Sequence, residues 1–365
     1  MDLFQRDNFS QSEIRYKKYD GDFGLFASVL RNYSKDFSID AIDQLDRAEI
    51  QTQNYKVFSE DASGAKIVLL VKKYKVSDDF DQVEFYLNLL SLLGKNDKGL
   101  LVANILKTVD GSLTTKVGEN LYSVFDFIEG QYFQPNGLAL RDVAQNMAKM
   151  HLAFNDLSED YIANIDVASK DGYYPFNVVK SYTPQDFAHM REKIINNYKK
   201  DGIDDVLLEK LPMFSQAALD VLSHQKEIIN LPKGVIHSDF HPHNVLIKNN
   251  KVKAILDFEN VRLDYQARDV AYAIYRFGKQ FFVNGSFKNE LKAPQLVELF
   301  IDSYNLVKPL SHEEIKLLPI LVKDAFIRKL LFVLKGVYEH DNLMWRGDLP
   351  KFIVAIDEIN YFWPK

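Results

Sequence analysis

The sequence predicts an α+β protein of two lobes: a small β-rich N-terminal lobe with one main helix, and a larger, mostly helical C-terminal lobe. Three observations lead there. A length of 365 residues exceeds what one simple core fills and suits two. Period-two apolar runs are concentrated before Gly130. Beyond it the 3.6-residue helical period dominates. We therefore expect lobes of residues 1–130 and 131–365.

Taken in order, "NYKVFSEDASGAKIVLLVKKYK" at 54–75 is two β-type runs around a polar turn at Gly64, a hairpin. "FDQVEFYLNLLSLL" then sets Phe80, Val83, Leu87 and Leu90 at helical spacing, and Ser77 and Asp78 can cap that helix. "LYSVFDFIEG" is a further β-type run that stops at Gly130. In "LRDVAQNMAKMHLAFND" the stripe Val143, Met147, Met150 and Phe154 reads as core. Two β-type segments return around 234–257, and the remainder is mostly helical. Pro294 suits a helix start, and Pro319 is expected to break or kink its helix.

With 47% hydrophobic and 26% charged residues, this is an ordinary folded composition. A net charge of -6 gives no broad attraction to nucleic acid or anionic lipid, so neither is expected as a partner. The absence of cysteine excludes disulfides, thiolate zinc sites and cysteine nucleophiles, and fits a reducing compartment. The N-terminus lacks the apolar core of a signal peptide. The longest apolar runs, at 67–71 and 317–322, fall short of the ~20 residues that span a bilayer. A cytoplasmic protein is expected, and nothing fixes its oligomeric state.

"HSDFHPHNVL" at 237–246 puts three of the chain's eight histidines in seven residues, with Asp239 and Asn244 among them. As zinc ligands, His237, His241, His243 and Asp239 would have to converge. The spacing of His237 and His241 converges only on a helix, which Pro242 opposes, and the stretch is not H-E-x-x-H. The same residues read as H-x-D-x-x-x-x-N. Phosphoryl transfer needs a carboxylate to orient a hydroxyl and oxygen ligands for magnesium. Asp239 and Asn244 supply those groups, and the β-type run "KAILDFEN" follows and delivers Asp257 in the order of a kinase catalytic loop and metal-binding aspartate. Alone, Asp239 reads as a turn residue and Asn244 as a loop cap; together with Asp257 they favour chemistry.

On "HSDFHPHNVLI", "ILDFEN" and "ARDVA", whose Asp269 comes twelve residues after Asp257, the chain resembles the aminoglycoside phosphotransferase and choline kinase family. The likeness extends more weakly from about residue 40 to about residue 345. It implies a two-lobed protein-kinase-like fold and magnesium-dependent transfer of the γ-phosphoryl group of ATP to a small-molecule hydroxyl. By position, it implies that Asp239 is the base that orients the hydroxyl and that His237 holds the loop in shape. Asn244 and Asp257 would be the magnesium ligands, and Asp269 a buried brace. His241 stands where protein kinases carry lysine; His241 and His243 read equally as substrate or phosphate contacts and as solvated loop residues.

For the nucleotide, the resemblance implies a strand lysine fixed by a helix carboxylate. Lys72 and Lys73 point to opposite strand faces; Lys72 aligns better with the family's strand ending, and Glu84 is its expected partner. Adenine would meet the hinge backbone from Asp126 to Ile128. The loop before Val57 has no glycine, so Gln51, Thr52, Gln53 and Asn54 are the candidate phosphate contacts, and GTP stays open as donor. The acceptor would be an amino alcohol, amino sugar, sugar or aminoglycoside. The stretch from Asp257 to Asp269, with Glu259 and Tyr265, is similar to choline kinases and favours an amino alcohol, although Asp264 replaces a glycine common in the group. Tyr272, Tyr275, Phe277 and Trp345 are candidates to line a pocket for a cation. Two other readings stand beside this one: a histidine-metal hydrolase, and a non-catalytic kinase-like protein that only binds nucleotide.

Overall fold

The structure, a computed structural model, describes residues 14–46, 53–74, 80–170, 179, 181–197, 201–283 and 291–364. It sorts them into two compact units, one of residues up to 133 with 243–259, the other of 134–242 with residues from 260 onward.

The first unit begins with β1 (Tyr16–Lys18), α1 (Phe23–Arg31), β2 (Ser38–Leu45), β3 (Gln53–Glu60), β4 (Lys66–Lys73), α2 (Phe80–Leu93), β5 (Thr115–Val117), β6 (Asn120–Asp126) and β7 (Gln131–Tyr132). An antiparallel sheet runs in the order β1-β2-β3-β4-β6-β5. The β3–β4 hairpin closes through Gly64 at φ 79°, a conformation that costs glycine nothing. Strand alternation gives each face its own core. Tyr55, Val57, Leu69, Val71, Tyr122 and Val124 pack with Phe26, Val29 and Leu30 of α1. On the opposite face, Leu70, Tyr74, Leu121 and Phe125 pack with Val83 and Leu87 of α2. Phe80, expected in that stripe, is 52% exposed at the helix start. Ser77 and Asp78 lie outside the described residues, as do Gln51 and Thr52.

The second unit opens with α3 (Gly137–Asn155), α4 (Glu159–Lys170), α5 (Pro184–Ile195), α6 (Gly202–Ser223), α7 (Gln225–Ile228) and β8 (Lys233–Ile236). Asn136 caps α3, its side-chain oxygen accepting from the N–H of Leu138 at 2.8 Å, and the stripe of Val143, Met147, Met150 and Phe154 is fully buried. Next come β9 (Val245–Lys248) and β10 (Lys251–Ile255). They belong to the first unit rather than to the helical part of the chain, because β9 pairs with β7 through Gln131↔Ile247 and Tyr132↔Leu246. Gly130 permits the approach: a Cβ there would lie 3.1 Å from Leu246 Cβ and 3.3 Å from the Ile247 carbonyl.

Back in the second unit, β11 (Arg262–Tyr265) pairs with β8. It leads into α8 (Gln266–Val283), α9 (Ala293–Asn305), α10 (His312–Glu339), α11 (Leu349–Ile353) and α12 (Ala355–Phe362). Pro294 opens α9 as expected. Pro319 does not break α10, which runs through it; Leu317, Leu318, Leu321 and Val322 are buried around it, and their packing offsets the lost backbone bond. The architecture is the expected α+β one, and no described helix is long and apolar enough to cross a membrane.

Candidate active site

The loop after β8 is shaped by one buried carboxylate. Asp269, in the first turn of α8, accepts the backbone N–H of His237 through Oδ2 and that of Ser238 through Oδ1, both at 2.9 Å. This holds Ser238 at φ 72°, a strained conformation for a residue with a side chain. His151 of α3 stands behind, its Nε2 3.2 Å from Asp269 Oδ2 and its Nδ1 2.7 Å from the Tyr304 hydroxyl. Burial holds this imidazole below its usual pKa. As the carboxylate can only accept, Nε2 carries the proton and Nδ1 accepts from Tyr304. His237 is fully buried, and its Nδ1 accepts the N–H of Asp239 at 3.4 Å.

Asp239 is then presented with its two oxygens in different company. Oδ1 accepts from the Tyr272 hydroxyl at 3.1 Å and faces Lys329 Nζ at 3.4 Å; Oδ2 lies 3.4 Å from His241 Nε2. Burial alone would raise the Asp239 carboxyl, but His241, Lys329 and Arg276 outweigh it and hold the group well below the ordinary carboxylate value. Burial also lowers His241, so near neutral pH the charges that act on Asp239 are those of Lys329 and Arg276. Lys329 is pushed down to about 8 by burial, with Arg276 and Arg262 adding to the shift and Asp239 opposing it. Its ammonium lies 4.0 Å from the Tyr272 ring centroid and donates to the hydroxyl at 2.9 Å; Arg276 donates to the same hydroxyl at 3.2 Å.

In the first unit a second group forms. Asn244 ends the short 3-10 turn Pro242–Asn244, and its carbonyl accepts the N–H of Leu256 at 2.9 Å. That bond sets the Asn244 segment beside Asp257, which sits at φ 62°. A carboxamide and a carboxylate are hard oxygen donors of the kind magnesium takes, so these two residues fit that ion. Lys72 lies on the α2 face of β4 with Leu70 and Tyr74 and pairs with Glu259. Burial would lower its ammonium, but Glu259, Tyr74 and Asp257 raise it above the usual lysine value. Asn54 is the cross-strand neighbour of Lys72 and Gln53 that of Lys73; Gln53 accepts from the Tyr55 hydroxyl at 2.8 Å. The N–H groups of Asp126 and Phe127 are spent on the carbonyls of Asn104 and Val68, whereas among the described residues none bonds the peptide groups of Ile128.

The three motif histidines go separate ways: His237 lies against Phe240, His241 meets Asp239, and His243 meets the Tyr132 ring edge-on at 5.1 Å. Among the described residues no group of three or more His, Cys, Asp or Glu side chains is placed to hold a metal. The geometry therefore does not support a histidine zinc cage.

A profile described as the phosphotransferase enzyme family matches residues 47–285, more than half of the chain and inclusive of Lys72, Asp239 and Asp257. The chain belongs to that family. A homoserine kinase of Bradyrhizobium diazoefficiens is 27% identical to this phosphotransferase over 314 residues, 83% of this chain and 85% of the relative. An aminoglycoside phosphotransferase structure from Alicyclobacillus acidocaldarius matches with a TM-score of 0.61 at 16% identity, covering 92% of this chain and 93% of its own. Spectinomycin phosphotransferase, solved with ADP and spectinomycin, matches with 0.63 at 12% identity over 95% and 99%. The structural likenesses establish a kinase-like fold. The protein is a phosphotransferase that acts on a hydroxyl group of a small molecule.

Within this phosphotransferase several expected contacts differ. Among the described residues the carboxylate on Lys72 is that of Glu259, while Glu84 accepts from the Thr114 hydroxyl at 2.5 Å; a buried-face carboxylate finds a hydroxyl as readily as an ammonium. Tyr275 does not line a pocket: it is 1% exposed, donates to Glu358 and packs on Phe326 and Phe362. Phe277 is equally buried. Trp345 packs on Phe332 beside Gly336. Asp264, unexplained in the sequence, accepts from Arg262 at 3.2 Å and forms an ion pair with Arg268 at 3.3 Å. No motif marks Lys329 or Arg276. Their one sequence signal is charge inside otherwise apolar helices, as with Lys329 in "LVKDAFIRKLLFVL".

Proposed function

We propose that the chain transfers the γ-phosphoryl group of ATP, with magnesium, to the hydroxyl of a small acceptor. The observation that carries this reading is Asp239: ionised, aimed by Tyr272 and Lys329 through Oδ1, and leaving Oδ2 beside a neutral His241. The acceptor hydroxyl donates to Oδ2, its oxygen bonds the γ-phosphorus as the bond to the ADP oxygen breaks, and its proton passes to Asp239. A carboxylate so strongly held in its charged form is a weak base, so the proton moves late, as suits a loose phosphoryl transition state. Lys72, held by Glu259, neutralises phosphate charge, and the peptide groups of Ile128 are suited to adenine. Magnesium, when bound by Asn244 and Asp257, would neutralise further charge on the phosphates.

Several relatives named homoserine kinase, at 25 to 27% identity, support a compact acceptor bearing both a hydroxyl and an amine over a large aminoglycoside. The reading includes a cytoplasmic location, in keeping with a chain without cysteine. It is tested by ADP release with Mg-ATP and Mg-GTP across amino alcohols, hydroxy amino acids, sugars and aminoglycosides. Asp239→Asn should lower kcat by roughly 10²- to 10⁴-fold while the protein still binds nucleotide in a thermal-shift titration. Turnover in the variant close to that of the wild type would overturn the assignment.

A further inference from the structure

Beside Asp239, within the second unit, lies a pocket whose wall includes Arg262, Arg268, Arg328, Lys329, Tyr272 and Asp269. Such a wall is unusual, because buried cations are normally matched one for one. Asp264 is shared by Arg262 and Arg268, and Asp324 by Arg268 and Arg328. Asp239 faces both Lys329 and Arg276. Asp269 spends both oxygens on loop N–H groups. Among the described residues, five cations thus answer four carboxylates. Burial lowers the Lys329 pKa, and Arg276 and Arg262 add to that shift. Arg262 has five N–H donors and, among the described residues, gives three of them to Asp264 and Ser238. An ammonium would find no aromatic cage here, since the Tyr272 ring is already flanked by Lys329 at 4.0 Å and Arg276 at 5.7 Å.

We propose that this pocket is a carboxylate subsite: Arg262, with Lys329 and Arg328, holds the acid group of a compact hydroxy acid or hydroxy amino acid whose hydroxyl reaches Asp239. The short span follows from Tyr272 and Lys329, which line the pocket and also touch Asp239 Oδ1. The proposal rests on the kinase reading and narrows its acceptor. The same cations could instead serve the anionic phosphoryl group in transfer, and the test separates the two.

The experiment compares acceptors that differ only by the acid group: homoserine with 3-aminopropanol, serine with ethanolamine, threonine with 1-aminopropan-2-ol. ADP release by the full chain should favour the acid member of at least one pair by roughly tenfold to a hundredfold in kcat/KM, the worth of a charge-assisted pair. In Arg262→Gln that ratio should fall toward one, mainly through KM for the acid. Equal use of both members by the wild type overturns the subsite while leaving the kinase reading intact. Equal loss for both members in Arg262→Gln also overturns it and assigns the arginine to the phosphoryl group. Calorimetric binding of the same pairs to the wild type, with a non-hydrolysable ATP analogue, decides between the outcomes even if the variant fails to fold or no acceptor turns over. At least tenfold tighter binding of an acid member supports the subsite, and its absence in all three pairs overturns it. No ADP release with any acceptor, by contrast, sinks the kinase reading itself.

Discussion

Lys72 and Glu259 form a pair in which each residue removes the other's desolvation problem: the lysine is only 19% exposed along its side chain, and an unpaired charge there is costly. Lys72→Ala and Glu259→Ala should each weaken nucleotide use, and their double mutant should be little worse than the single ones. Lys72→Ala and Glu84→Ala should add, because Glu84 serves Thr114; steady-state KM for ATP in the two cycles checks both. Lys329 gives a pH signature. It faces Asp239, Tyr272, Arg262 and Arg276, and its pKa of about 8 lies below the ordinary lysine value. Below about 8 it adds its charge to that of Arg276 on Asp239; above, it does not. The rate should therefore fall on the alkaline side near pH 8, and Lys329→Arg, charged throughout, should move that limb upward. For stability the sign is opposite. Between about 8 and the unfolded value the unfolded chain binds a proton that the folded chain has lost, so stability attributable to Lys329 rises with pH across that window. Lys329→Met should flatten that slope in denaturant titrations run across the same window. Asp239, Asn244 and Asp257 stand out as candidates because they share one short stretch of chain, whereas Lys329 reaches Asp239 from ninety residues away, with no local pattern to report it.

At the level of elements, legibility followed the range of the interactions. The β3–β4 hairpin and α3 were readable because alternation and helical stripes are local consequences of which face is buried. Pro319 leaves α10 unbroken because the helix's continuity depends on packing over a length of 28 residues that no window around the proline reveals. The pairing of β7 with β9 was hidden for the same reason: two residues, Gln131 and Tyr132, meet partners more than a hundred positions later. Helix packing also supplies a direct test. A Cβ on Gly278 of α8 would come within 2.5 Å of the Phe362 ring on α12, and that ring is 1% exposed, with little room to move. Gly278→Ala should gain helix propensity yet lose more to overpacking, for a net destabilisation of about 1–3 kcal/mol, measurable by denaturant unfolding. An unchanged or raised midpoint would mean that Phe362 can yield.

For the molecule as a whole, binding is linked to stability. Mg-ATP that binds only the folded chain should stabilise it by roughly 2.7 kcal/mol at a hundredfold excess over Kd, seen as a rise in Tm. In Asp257→Ala the magnesium-dependent part of that rise should vanish, while the nucleotide alone keeps whatever it gains from Lys72 and Ile128. A wild type indifferent to both nucleotides and destabilised by a chelator would instead revive a structural-metal reading. The β-rich unit also has a consequence during synthesis. It is not finished when residue 133 has been made, because residues 243–259 belong to it, and with them come the only described partner strand of β7 and both oxygen donors, Asn244 and Asp257. At about 5–20 residues per second, the ribosome needs roughly 6 to 25 s to carry the chain from residue 133 to residue 259. For that interval β7 stands without β9, its described partner strand, so a growing chain of this protein should be a client for chaperones that bind at the tunnel exit until its second segment emerges.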